Sequence, residues 1–256
     1  MENLDRVNIL GVGISAVTLA KAVAQMATWI EHGSHHYVNL CTVHTVMECR
    51  QDPELKRMVN KSGMAAPDGM PLVWLGKYQG KRRIRRVYGP DLMLAFCEYS
   101  VEKGYGHFFY GGGPGIAKEL ATKLECRYPG LRVAGFHSPP IRPVGGMEER
   151  SVIEAINSTN PDVIWVGLGT PKQDYWVAQH RPLINAPVLV CVGAAFDFLT
   201  GTVPQAPTWM QRCGLEWLFR LIQEPRRLAY RYLVYNPLFA VYAFMQVVGL
   251  RRYSLS

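Results

Sequence analysis

HFFYGGGPGIAKELATKLECRYPGLRVAGFH, residues 107–137, decides the fold. Its first six residues form a continuously apolar run of β-forming side chains that ends in glycine. PGIAKELATKLECRYPG (114–130) then has apolar residues at helical spacing, and RVAGFH (132–137) returns to strand character. Strands that are apolar throughout, rather than alternating, are those covered on both faces. The same reading extends outward to strands at VNILGV (7–12), YVNLCTV (37–43), DVIWVGLG (162–169) and VLVCVGAA (188–195). Amphipathic segments lie between them at 15–30, 45–62, 90–104, 148–160 and 173–184. Strand–helix alternation at this spacing predicts an α/β fold with a mostly parallel sheet and helices on both faces. Ligands of such sheets bind at the carboxyl ends of the strands.

Several classes are excluded. The chain has 256 residues, 48% of them hydrophobic, with scattered Gly and Pro, so it is neither disordered nor collagen-like. Its six cysteines are far apart and form no CxxC pair, against both a disulfide framework and a structural zinc site. They read as small buried hydrophobes in a reducing compartment. MENLDRVNILGVGIS has no signal-peptide pattern, so a cytoplasmic location is expected.

The net charge of +8 is local. Residues 77–86 (KYQGKRRIRR) hold six basic residues and no acid, and residues 212–256 hold seven Arg against two Glu. Without these segments the chain is slightly acidic, so each basic segment calls for a solvated face or an anion: nucleic acid, phospholipid or a phosphorylated substrate. The last segment is also apolar, with nine of the 28 aromatics and a stripe of Leu215, Leu218, Phe219 and Ile222. Tyr232–Leu250 is uncharged but broken by Asn236–Pro237, which favours a segment lying at a membrane interface over one that spans it. The aromatics sit beside Pro, Leu and Val, which favours lipid over nucleic acid. Domains are therefore expected at 1–205, an α/β core, and 206–256, an Arg- and aromatic-rich appendage with arginines outside the core.

Three strand–loop–helix junctions offer site residues. Gly111, Gly112 and Gly113 allow backbone N–H groups to approach a phosphate, or simply make a tight turn. The run is neither GxGxxG nor a P-loop, and the chain has no GxGxxG followed by an acidic residue about 20 positions on, as nicotinamide-binding folds require. VGLGTPKQDYW (166–176) presents Lys172 and Gln173 at the sheet edge, and VGAAFDFLTG (192–201) presents Asp197, a cap or an acceptor for a base or sugar. Asp68, between Pro67 and Gly69 in SGMAAPDGMPLVW (62–74), is rigid and poorly solvated. It is a candidate general base with a raised pKa, or else an Asp-Gly turn. Thr42 and His44 end a strand before it. No DxD-type acidic pair for a divalent cation is present, so any bound phosphate must be neutralised by amides and basic side chains.

In order, APDGMPLVW (66–74), RRVYGPDLM (85–93), FFYGGGPG (108–115), VGLGTPKQDYW, VGAAFDFLTG and APTWMQRCGLEWLFRLIQEPRRLAYRYLVYNP (206–237) make the chain resemble the WecG/TagA/CpsF family of bacterial glycosyltransferases along nearly its whole length. The resemblance implies a Rossmann-like core with a C-terminal helical appendage. It also implies inverting, metal-independent hexosyl transfer, without a cofactor, from a UDP-sugar to an undecaprenyl-diphosphate-linked saccharide at the cytoplasmic membrane face. The transferred sugar would be N-acetylmannosamine-type or another hexose, in teichoic acid or exopolysaccharide synthesis. It makes Asp68 the base, Gly111–Gly113 the nucleotide turn, Gln173 a donor-side residue, Asp197 the uracil contact, and Arg220, Arg227 and Arg231 the groups closing over the departing UDP. Where many members carry a Thr-x-Asn pattern, this chain reads Thr42-Val43-His44. The alternatives are a UDP-glucose-using exopolysaccharide enzyme of the same family and a non-catalytic peripheral membrane protein.

Overall fold

The computed structural model describes residues 4–140 and 143–255. The chain begins with β1 (Arg6–Ile9), β2 (Val12–Ser15), α1 (Leu19–Glu31), β3 (His36–Cys41), α2 (Val43–Gln51), α3 (Pro53–Lys61), β4 (Met64–Pro67) and α4 (Met70–Tyr78). The middle comprises α5 (Gly89–Lys103), β5 (Gly106–Gly111), α6 (Ile116–Arg127), β6 (Arg132–His137), α7 (Arg150–Ser158), β7 (Val163–Gly167), α8 (Lys172–His180), β8 (Val188–Cys191) and α9 (Ala195–Thr200). Four helices close it: α10 (Thr208–Arg212), α11 (Glu216–Gln223), α12 (Pro225–Leu233) and α13 (Tyr235–Val247).

Six strands form one parallel sheet in the order β4-β3-β8-β7-β5-β6. Neighbouring residues alternate between two apolar layers. Phe109, Trp165 and Val190 pack with α1, α5, α6 and α9, while Phe108, Ile164 and Leu189 pack with α7 and α8. This two-sided burial is what the continuously apolar strands predict.

The first predicted strand is a correction. Arg6–Ile9 is not in the parallel sheet; it pairs antiparallel with Val12–Ser15 in a separate hairpin. Leu10 (φ 52°) and Gly11 (φ 89°) make the two-residue turn, whose left-handed backbone suits the twist of a tight hairpin. Because Val12–Ser15 is strand, α1 starts later than expected, capped by Thr18. The helix expected over 45–62 is two helices. Asp52 ends α2 and caps α3 through bonds from the Glu54 and Leu55 amides, with Pro53 at the first helical position. β4 and α4, on either side of Asp68, were not anticipated.

The C-terminal helices are tied to the body. Tyr235, Phe239 and Ala243 of α13 are buried in a cluster with Val7, Ile9, Val46 and Met47. The Tyr235 hydroxyl donates to Glu48 (3.0 Å), and Gln246 accepts from the Leu10 amide (3.0 Å) and donates to the Asn8 carbonyl (2.8 Å). Pro237 sits in the first turn of α13 rather than interrupting a longer helix. Among the described residues no helix is long and apolar enough to cross a membrane. The Leu215–Ile222 stripe does not enter a core. Leu218 and Ile222 are exposed, as are Leu238, Val241, Phe244 and Leu250. Cys41, Cys49, Cys97 and Cys191 are buried thiols, whereas Cys126 and Cys213 are exposed.

Gly111 locks the middle of the sheet. At φ +126° a Cβ would stand 2.5 Å from the Gly167 carbonyl oxygen, so β5 and β7 can abut only without a side chain here. Gly111→Ala is expected to cost roughly 3 kcal/mol from strain and clash together. That lowers the thermal unfolding midpoint by roughly 6–12 °C; a midpoint within 2 °C of wild type would contradict this packing.

Candidate active site

One large cleft, of about 1500 Å³, opens at the carboxyl ends of β3, β4, β5, β7 and β8 and is roofed by the C-terminal helices. Thr42, His44, Asp68, Gly112, Gly113, Lys172, Gln173, Asp197, Arg220, Arg227 and Arg231 all line it. Gly111 does not; it lies buried beneath the glycine turn.

Asp68 follows β4 directly. Its amide and that of Gly69 both donate to the Cys41 carbonyl (2.8 and 3.2 Å), which ties the Asp68 loop to the end of β3. The side chain is 18% exposed. Burial pushes its pKa up to about 6 against the opposing pull of Arg86, and Glu216 adds to the rise. Arg86 was missed as a site residue. Its Nε donates to the Asp68 main-chain carbonyl (2.5 Å) and its Nη2 to Asp68 Oδ1 (3.1 Å), and its guanidinium lies 4.1 Å over the Tyr88 ring. Lys77, Arg82, Arg83 and Arg85 of the same basic run are exposed, and Lys81 pairs with Asp5 at 2.6 Å. The run therefore splits between solvent and site.

Thr42 caps α2 in a reciprocal pair with Thr45. His44, in the first turn of that helix, pairs with Glu48 (3.3 Å) and stacks on Tyr235. Burial lowers its pKa more than Glu48 raises it, so the imidazole is neutral at pH 7. Gln173 is a brace between loops: its Oε1 accepts from the Gly169 (3.1 Å) and Gly193 (2.9 Å) amides. Beneath it, Asp174 accepts from Asn39 (2.7 Å), and burial holds its carboxyl up at about 6. Asp197 is half-buried, which raises its pKa.

The arginines differ among themselves. Arg220 is 14% exposed, lies 5.4 Å over Phe198 and reaches Glu224 only at 3.8 Å. Arg231 is partly buried, with its pKa lowered by desolvation. The Nε atoms of both are buried without a protein partner. Arg227 is exposed and bonded to Glu224. Among the described residues no three His, Cys, Asp or Glu side chains converge as a metal site.

A carboxyl of raised pKa and two arginines with unpartnered Nε atoms thus stand around one cleft at the carboxyl edge of a parallel sheet, where folds of this kind bind their ligands. Residues 7–253 match the Glycosyl transferase WecG/TagA/CpsF family, and the chain belongs to that family. It is 27% identical over 200 residues (78% of this chain, 76% of the relative) to the N-acetylglucosaminyldiphosphoundecaprenol N-acetyl-beta-D-mannosaminyltransferase of Bacillus spizizenii. Proteins of the same name are 27% identical over 213 residues in Bacillus subtilis (80% and 81% covered) and 23% identical over 228 residues in Staphylococcus aureus (88% and 88%). The chain is thus a glycosyltransferase of the hexosyl-transferring kind.

Proposed function

We propose that the protein transfers an N-acetylmannosamine-type sugar from a UDP-sugar to an undecaprenyl-diphosphate-linked saccharide, with inversion, at the cytoplasmic face of the membrane. The observation that carries this reading is Asp68, a buried carboxylate with raised pKa in the same cleft as Arg220 and Arg231. The acceptor hydroxyl oxygen attacks the anomeric carbon while the Asp68 carboxylate takes its proton. The bond from that carbon to the β-phosphate oxygen breaks, and UDP leaves with the electron pair. Arg220 and Arg231 stabilise the charge gathering on the diphosphate, without a metal ion. Asp197 accepts from the uracil, and the Gly113 amide approaches the nucleotide, while the Gly112 amide donates to the Gly167 carbonyl (3.0 Å). The relatives' names support the mannosamine-type sugar and the acceptor.

The exposed apolar residues support peripheral membrane docking of the C-terminal segment. Trp74, Tyr78 and Tyr230 are exposed and line the cleft itself, so a lipid-linked acceptor can enter from the membrane side. Release of UDP from a panel of UDP-sugars, with a lipid-diphosphate-linked N-acetylglucosamine acceptor, tests the reading. Acceptor-dependent release from UDP-N-acetylmannosamine is expected. Release only from UDP-glucose would move the protein to glucosyl transfer, and no release from any donor would refute the activity.

A further inference from the structure

Glu216 is the first residue of α11, 130 positions from Arg86, yet its Oε2 lies 2.6 Å from Arg86 Nη2, the nitrogen that also reaches Asp68 Oδ1 at 3.1 Å. One guanidinium nitrogen thus serves two carboxylates, all three side chains being less than one-fifth exposed. We propose that Glu216 is a positioning residue for the reaction: it shares Arg86 with Asp68, so that Arg86 orients the base without claiming it, and it joins the base to the docking of α11. This rests on Asp68 being the base of the proposed transfer.

The backbone delivers Glu216 by a tight approach. Gly214 has φ +72°, and a Cβ there would stand 2.9 Å from Trp74 and 3.3 Å from the Met70 Cβ. The turn before α11 is therefore pressed onto α4, the helix that starts two residues after Asp68. Glu216 and Arg220 are one turn apart, so they share a face of α11, and both line the cleft. Docking this helix places one residue at the base and another at the leaving group.

An arginine held by a single carboxylate stabilises that carboxylate's ionised form and weakens it as a base; a second carboxylate on the same arginine offsets the effect. The charged and titratable groups facing Asp68 are Arg86, Glu216, Arg220 and Arg231, with Tyr88 and Cys41 behind, and Asp91 lies near Arg86 and Glu216. Glu216→Gln keeps the acceptor and removes the charge.

Two readouts on the full-length protein test this. The first is the carboxyl carbon-13 titration of Asp68, assigned with Asp68→Asn, which needs no turnover. The second is the pH dependence of kcat/KM for transfer. In Glu216→Gln the titration midpoint and the acid limb of kcat/KM are expected to move together to lower pH by about one pH unit, with a plateau about tenfold lower. Glu216→Asp, which restores the charge, is expected to bring both back towards wild type. An unmoved titration midpoint overturns the proposal, as does a moved midpoint with an unmoved acid limb, or a uniform rate loss at every pH. A wild type that turns over no UDP-sugar would refute the proposed function and the catalytic role together, and the titration would still report the Glu216–Asp68 coupling.

Discussion

Asp68→Asn is expected to lower kcat for acceptor-dependent UDP release by about a thousandfold, the usual effect of losing a positioned general base. The fold should be untouched. Asparagine keeps the volume, the Asp68 and Gly69 amides still reach the Cys41 carbonyl, and Arg86 still has the main-chain carbonyl and an amide oxygen to bond. UDP affinity should change less than threefold, because in the proposed reaction the base acts on the acceptor and not on the nucleotide. In the proposed reaction the ionised carboxylate is the active form, so wild-type kcat/KM should fall as pH drops through about 6 and the carboxyl takes up its proton. Stability runs the other way. A folded pKa raised above the unfolded value favours the fold below about pH 4 and loses that contribution as pH rises through about 6. Asp174 has the same sign. Wild type therefore gains activity over the range where these two carboxyls cease to stabilise it. Asp68→Asn within tenfold of wild type, or a variant that keeps the acid limb, would remove Asp68 from the chemistry.

How much of this was legible depends on how local the cause was. β5 and α6 were readable because β5 buries both faces and α6 one clear stripe, and that pattern is written in consecutive residues; β6, the edge strand, is only partly buried and was read from its β-forming residues. Residues 7–12 carried the same apolar signal but form a hairpin strand, since only the left-handed turn at Leu10–Gly11 separates the two arms. β4 escaped because Met-Ala-Ala-Pro has no β-branched or aromatic residue; pairing with β3 makes it a strand. In the site, Asp68 was visible from its immediate neighbours, and the glycine turns from their clustering. The C-terminal arginines came only through resemblance. Arg86 was hidden in a basic run whose other members behave as surface charge, and Glu216 sits beside an apolar stripe. Their shared hydrogen bond spans 130 residues, so no local pattern reports it.

Removing Arg220 and Arg231 together should be nearly as damaging as removing the base. In the double alanine variant kcat is expected to fall about 10³-fold or more, a loss of 10²–10³ being typical of one preorganised donor to developing charge. The effects are not expected to be additive, since in the proposed reaction both arginines serve one diphosphate. Their unpartnered Nε atoms mark donors already desolvated and aimed where no protein acceptor waits. The cost of burying them is met in folding, and in the proposed reaction a diphosphate recovers it in the transition state, when its charge is greatest. Arg227 is exposed and held by Glu224, so Arg227→Ala should cost no more than about tenfold. Lysine at 220 and 231 keeps the charge but loses the planar fork, and should restore only part of the rate. Thermal midpoints should stay near wild type, because α12 and α13 are anchored through Leu228, Tyr235 and Phe239 rather than through these arginines. If the two guanidiniums do the work a divalent cation does in other transferases, chelation by EDTA leaves wild-type turnover unchanged. Turnover lost to EDTA and restored by magnesium would sink that assignment, and so would a double variant within tenfold of wild type. Deleting 212–256 is the blunter experiment, because it also strips the cover from Val7 and Ile9 and so mixes lost chemistry with a damaged core. Paired point substitutions separate the two.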